Sequence, residues 1–176
     1  MTTSYKDGFI ATQSRLRDKP ATALHTFSAA TRQTDGLSSE ARIRNFHLVT
    51  DEPPALGGAD RGPDPAELLL AALGASQEAT YRLYADTLGI PIRSVSVKLE
   101  GRIDLRGLFA VSDGVRPGFK DIRATVTIDS PASAEDIERL KVTVDRHCPV
   151  LDSLRNVTPV QTSLDLVNSA VKPAAA

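Results

Sequence analysis

A stretch that is apolar on nearly every side sits in the middle of this chain and constrains everything built around it. Asp64 is a natural N-cap, Pro65 fits the first helical position, and Glu67 completes an Asp-x-x-Glu capping box. The pattern predicts a helix running from there to Leu88, with Gly89 suited to ending it. At ~1.5 Å per residue such a rod is about 37 Å long. Its first half, Leu68-Leu69-Leu70-Ala71-Ala72-Leu73, has no polar stripe, so in a soluble chain it must be covered on all sides. Gly74, Ala75 and Ser76 then let a second backbone or a ligand approach closely.

The flanking sequence supplies strands to do the covering. Residues 22–50 read as a hairpin whose turn is Asp35-Gly36, followed by Ala41, Ile43, Phe46 and Leu48, with a slip in alternation at Asn45-Phe46 that a bulge would cause. A Pro/Gly-rich loop fills 51–63. Beyond the helix, Val95, Val97, Leu99, Gly101, Ile103 and Leu105 alternate with polar residues, as do Ile122, Ala124, Val126 and Ile128. A second capping box, Ser133-x-x-Asp136, opens a helix with a buried stripe of Ile137, Leu140 and Val144. That stripe continues onto Cys148, after which Pro149 begins a short helix through Arg155. A last strand is expected over Thr158 to Val167. Strand runs separated by helices predict α+β, with mostly antiparallel sheets. The expected layout is an N-terminal arm or helix over 1–21, one domain over 22–168, and a flexible tail over 169–176.

Composition removes several functions. With 21 basic and 22 acidic residues there is no electrostatic footprint for nucleic acid or a membrane surface. The longest apolar run, Leu68 to Ala75, is too short to span a bilayer, and the opening residues lack the layout of a secretion signal. One cysteine excludes an intrachain disulfide and fits a reducing compartment, so the cytoplasm is the expected location. His25, His47 and His147 show no ligand spacing, so no metal is expected, and no glycine pattern suggests a phosphate-binding or other cofactor loop.

Two residues carry the chemical interest. Cys148, in His147-Cys148-Pro149-Val150, would sit at the start of a helix. The free N–H groups there favour a thiolate, and His147 is a possible proton partner. The plainer reading is a buried structural cysteine on an apolar stripe. Ser76 lies among small residues on the long helix, where a serine ordinarily bonds its own i−4 carbonyl. As a nucleophile it would need an adjacent base, and none is visible in the sequence. Glu67 reads first as a cap and Arg61 as a solvated loop charge, although an arginine held by a glutamate can polarise a peroxide and depress a thiol pKa.

Taken together, Asp51-Glu52-Pro53-Pro54, Gly57-Gly58, Gly62-Pro63-Asp64-Pro65-Ala66-Glu67-Leu68-Leu69-Leu70, Val115-Arg116-Pro117-Gly118-Phe119 and His147-Cys148-Pro149-Val150 resemble the OsmC/Ohr family, the osmotically induced and organic-hydroperoxide-resistance proteins. The resemblance implies sheets wrapped around long central helices in an intertwined homodimer of bacterial type. It also implies two interfacial sites, each with an attacking and a resolving cysteine, an assisting arginine and glutamate, and an external dithiol such as a lipoyl group as reductant.

This chain departs from that pattern. Ser76 stands at the attacking position and Cys148 matches the resolving one, while Ala66 occupies the place of the assisting glutamate, with Glu67 one residue later. Arg44 and Arg61 are the candidates for the arginine. A hydroxyl cannot pass through a sulfenic acid to a disulfide, so one chain cannot run the two-thiol cycle. Three readings follow: a one-thiol peroxide reductase using Cys148 and an external thiol, a non-redox dimer holding a small apolar ligand, and a hydrolase using Ser76. All three expect the Ser76 hydroxyl and the Cys148 sulfur to meet in a cavity shared by two copies.

Overall fold

The computed structural model describes residues 5–167. The expected tail over 169–176 falls outside them.

The long helix forms where its signals place it: α2 spans Pro65–Leu88, capped by the Asp64–Glu67 box and ended by Gly89 at φ 69°. That left-handed φ costs glycine nothing, because it has no Cβ. Behind α2 lie two long antiparallel strands, β4 (Ser94–Ile103) and β5 (Phe119–Asp129), paired along their length. One face of this ribbon carries Val95, Leu99, Ile122 and Val126 against the core. Glu78 on α2 accepts a hydrogen bond from the Val97 N–H at 3.2 Å, and the Arg82 guanidinium donates to the Ile92 carbonyl at 2.8 Å. These two contacts fix the helix's height and rotation on the ribbon. Between the strands, α3 (Leu105–Leu108) makes a single turn, capped by Asp104.

Two further helices close the other side. α4 (Ala134–His147) is amphipathic and buries Leu140 and Val144 completely; α5 (Pro149–Arg155) follows at an angle and buries Leu151. Each such aliphatic side chain contributes about 1.5–3 kcal/mol on burial. The predicted N-terminal helix is α1 (Lys6–Asp18), lying on α2 with no buried residue of its own.

Residues 30–50 differ from expectation. They form three antiparallel strands instead of a two-stranded hairpin: β1 (Ala30–Asp35), β2 (Ser38–Ile43) and β3 (Phe46–Thr50). The break at Arg44-Asn45 is a tight turn rather than a bulge, with Arg44 at φ 56°. Alternation slips at a turn as it does at a bulge, so the pattern alone could not separate them. The first turn is Gly36-Leu37, one residue later than expected, and the irregularity in pairing falls between Gln33 and Asp35. All of β1 and most of β3 are exposed, because this sheet stands off the helices.

The strand expected over Thr158–Val167 is not formed; the segment is irregular and exposed throughout. Its alternation of Val160, Thr162, Leu164 and Leu166 is real, but a strand needs a neighbour for its backbone hydrogen bonds, and one copy offers none. The first half of α2 is likewise less covered than its composition demands: Leu69, Ala71, Ala72 and Ala75 are exposed. No helix among the described residues is long and apolar enough to cross a membrane.

Candidate functional site

α4 ends because Pro149 cannot extend it, and the chain turns at Cys148, which adopts extended geometry at φ −75°, ψ 114°. The Cys148 N–H donates to the Val144 carbonyl, closing α4, and its carbonyl accepts from Asp152, opening α5. Both backbone groups are therefore held, and the side chain is directed toward α2. It is wholly buried there.

On α2 the residue it meets is Ser76. The Ser76 Oγ and Cys148 Sγ lie 3.3 Å apart, and either can donate. The serine does not make the expected i−4 back-bond. Thr80 makes that bond instead, donating its hydroxyl to the Ser76 carbonyl at 2.6 Å. Among the described residues no histidine or carboxylate hydrogen-bonds to the Ser76 hydroxyl, so nothing is positioned to take its proton.

The other sequence-derived candidates are engaged elsewhere within the chain. Glu67 accepts from the Asp64 N–H as the cap partner. Arg61 is paired with Asp35 at 2.8 Å on the surface. Arg44 lies over the Phe46 ring at the β2–β3 turn, 5.1 Å from its centroid. His147 is exposed and stacks flat on Tyr84. Ser76 and Cys148 thus come together, while Glu67, Arg61, Arg44 and His147 make no hydrogen bond to the pair.

A cavity of about 880 Å³ runs along α2 beside the pair. Leu69, Leu73, Gln77 and Tyr81 form one wall, Ile122, Ala124 and Val126 the floor, and Leu151 the inner end. Ser76 and Cys148 do not line it, although Leu73 and Gln77, neighbours of Ser76 on α2, do.

Several residues lining this cavity went unrecognised in the sequence. Gln77 is buried and its Oε1 meets no donor. Tyr81 is almost fully buried; that burial, with Asp145 and Glu138 nearby, pushes its hydroxyl up to about 12. Glu52, at the opposite end, is pushed up by burial and by Asp64 and Asp51 beside it. A polar residue such as Gln77 on an otherwise apolar helix face was the one available signal.

The loop joining β3 to α2 is organised by a buried carboxylate. Asp51 accepts from the backbone N–H groups of Glu52, Ala59 and Arg61. Burial opposes its ionisation, but the Ser38 hydroxyl beside it and these three N–H groups win, and the carboxyl is held below its ordinary value.

The fold that carries these residues is a known one. Residues 57–163 match the family model described as OsmC-like protein. The chain belongs to the OsmC family. No curated protein sequence matches it. Among solved structures it is similar to an OsmC-like protein from Mycoplasma pneumoniae, 22% identical over 76% of this chain and 89% of that one, TM-score 0.66. It is also similar to an organic hydroperoxide resistance protein OsmC from Legionella pneumophila, 22% identical over 76% and 91%, TM-score 0.59. A third is an organic hydroperoxide resistance protein from Elizabethkingia anophelis, 20% identical over 77% and 91%, TM-score 0.60. At these identities the likeness establishes the α+β OsmC fold.

Proposed function

We propose that this OsmC-family protein is related to the thiol-dependent organic hydroperoxide reductases but works without their two-cysteine cycle, as a cytoplasmic homodimer that holds a small apolar ligand. The observation that carries this is the 3.3 Å contact between the Ser76 hydroxyl and the Cys148 sulfur. Two side chains sit where a thiol pair would, but only one is a thiol. With a hydroxyl as partner, the sulfur cannot be resolved to a disulfide within the chain.

Two features favour ligand holding over a one-thiol peroxidase. The sulfur is wholly buried, whereas an attacking thiolate has to be reached. Beside it lies the cavity, lined by apolar side chains together with charged ones such as Arg116, Lys120 and Asp145, and with the unsatisfied Gln77 Oε1 at its wall, the kind of group that a bound molecule or a second copy satisfies. The exposed apolar surface of α2, β3 and the C-terminal segment fits a second copy.

The test is consumption of cumene hydroperoxide with dithiothreitol or dihydrolipoamide as reductant. Wild type should be no faster than Cys148→Ser, and native mass spectrometry of protein taken from cells should reveal a bound lipophile. Turnover that disappears in Cys148→Ser would instead establish the one-thiol reductase.

A further inference from the structure

α1 lies outside the residues that match the family, yet a chain of aromatic rings links it to Cys148. The edge of Phe9 meets Tyr84, with centroids 5.4 Å apart and planes at 69°. Tyr84 in turn stacks on His147 at 5.3 Å and 24°. His147 is the last residue of α4 and is joined directly to Cys148.

The spacing on α2 explains how the rings reach the junction. Ser76, Thr80 and Tyr84 are four residues apart and share one helix face. That face touches Cys148 at Ser76 and His147 at Tyr84, so it grips both sides of the α4–α5 corner.

α1 itself is lightly held. None of its residues is buried, and its N-cap Tyr5 makes no side-chain cap bond. Beyond Phe9, the Lys6 N–H donates to the Asp86 carboxylate at 2.6 Å. Isolated helices below about 12–15 residues are marginal in water. A 13-residue helix of this kind keeps its structure by docking and opens well below the free energy of global unfolding.

We propose that α1 is a detachable clasp on the buried thiol, an inference that stands whichever reaction or ligand the site serves. When it is docked, Phe9 braces Tyr84 against His147 and the corner stays shut around Cys148. When it lifts, Tyr84 loses its brace, the corner loosens, and the sulfur becomes reachable. Tyr84 is a positioning residue that acts through His147.

The test is the rate at which iodoacetamide alkylates Cys148 in the full-length native protein. Phe9→Ala should raise that rate roughly three- to tenfold, the loss expected for one aromatic edge contact. Phe9→Tyr and Tyr84→Phe keep their rings and should keep the wild-type rate. Ile10→Ala, on the exposed side of α1, should change nothing. Because the opening is local, the faster alkylation should depend only weakly on added urea. An unchanged rate in Phe9→Ala would overturn the proposal. So would a rise whose urea dependence is as steep as that of global unfolding.

Discussion

The Ser76 Oγ and the Cys148 Sγ face each other at 3.3 Å from two different helices. A sulfur in place of that oxygen would need only a small approach to reach the disulfide bond length of about 2.05 Å. Ser76→Cys should therefore create a pair of thiols that peroxide can close. One equivalent of cumene hydroperoxide would oxidise one thiolate to a sulfenic acid, releasing the alcohol. The second thiol would displace water and close the disulfide. Thiol titration should fall from two groups to none, with intact mass lower by two hydrogens. Two thiols that stay titratable after peroxide would show that these positions do not meet in solution.

Asp51 sets an acid limit on the fold. Its carboxyl is held below the ordinary 3.8 by Ser38 and three backbone N–H groups, against the cost of burial. Its stabilising effect is therefore present above the unfolded value and is lost as pH falls through the lower folded value. Asp51→Asn should lower the melting temperature at neutral pH, by leaving N–H groups on Glu52, Ala59 and Arg61 poorly paired. It should also flatten the acid decline below the ordinary carboxyl value of 3.8, where the wild type loses this contribution. Thermal melts across that range, compared between the two proteins, give the answer; parallel profiles would rule it out.

Tyr81 acts at the other end of the pH scale. Burial, with Asp145 and Glu138 nearby, raises its hydroxyl from 10.0 to about 12. The folded state then holds its proton more tightly than the unfolded state, so stability is full below pH 10 and is lost as pH rises toward 12. Tyr81→Phe should remove that loss, giving a shallower alkaline decline than wild type. Tyrosinate absorbance offers a direct check: difference titration of the two proteins should place the missing step near 12 and not near 10.

How much of this could be read from the sequence follows the range of the interactions. α2 was legible to its ends because its caps are local: Asp64, Glu67 and Gly89 signal within one turn. The meeting of α4 and α5 at Cys148 was legible for the same reason, through Pro149. That a serine and a cysteine distant in sequence would touch came from a family pattern, and not from any local rule. The stacking of Tyr84 on His147 was invisible, because it depends on how α2 and α4 cross. Gln77 and Tyr81 carried only the weak signal of polarity on an apolar face. The C-terminal strand failed in an instructive way: its alternation is correct, but alternation specifies a face and not a partner.

That missing partner leads to the last prediction. Leu164 and Leu166 are 90% and 85% exposed, on a segment whose alternating pattern suits a sheet. In the same chain Phe46 and Leu48 lie more than two-fifths exposed on β3, and Leu69 is 40% exposed on α2. A soluble protein leaves single apolar side chains in water, but rarely so many in one chain. Each such side chain is worth about 1.5–3 kcal/mol when covered. A second copy that supplies a strand neighbour for residues 158–167 and covers α2 would recover that free energy and pair the open backbone groups. The protein should therefore sediment as a dimer at micromolar concentration. Leu164→Asp with Leu166→Asp should shift it toward monomer, because two buried charges would oppose association while leaving the α2–α4–α5 core of one copy intact. Wild-type protein that sediments as a monomer across this range would remove the dimer, and with it the explanation for an α2 whose first half is apolar on nearly every side.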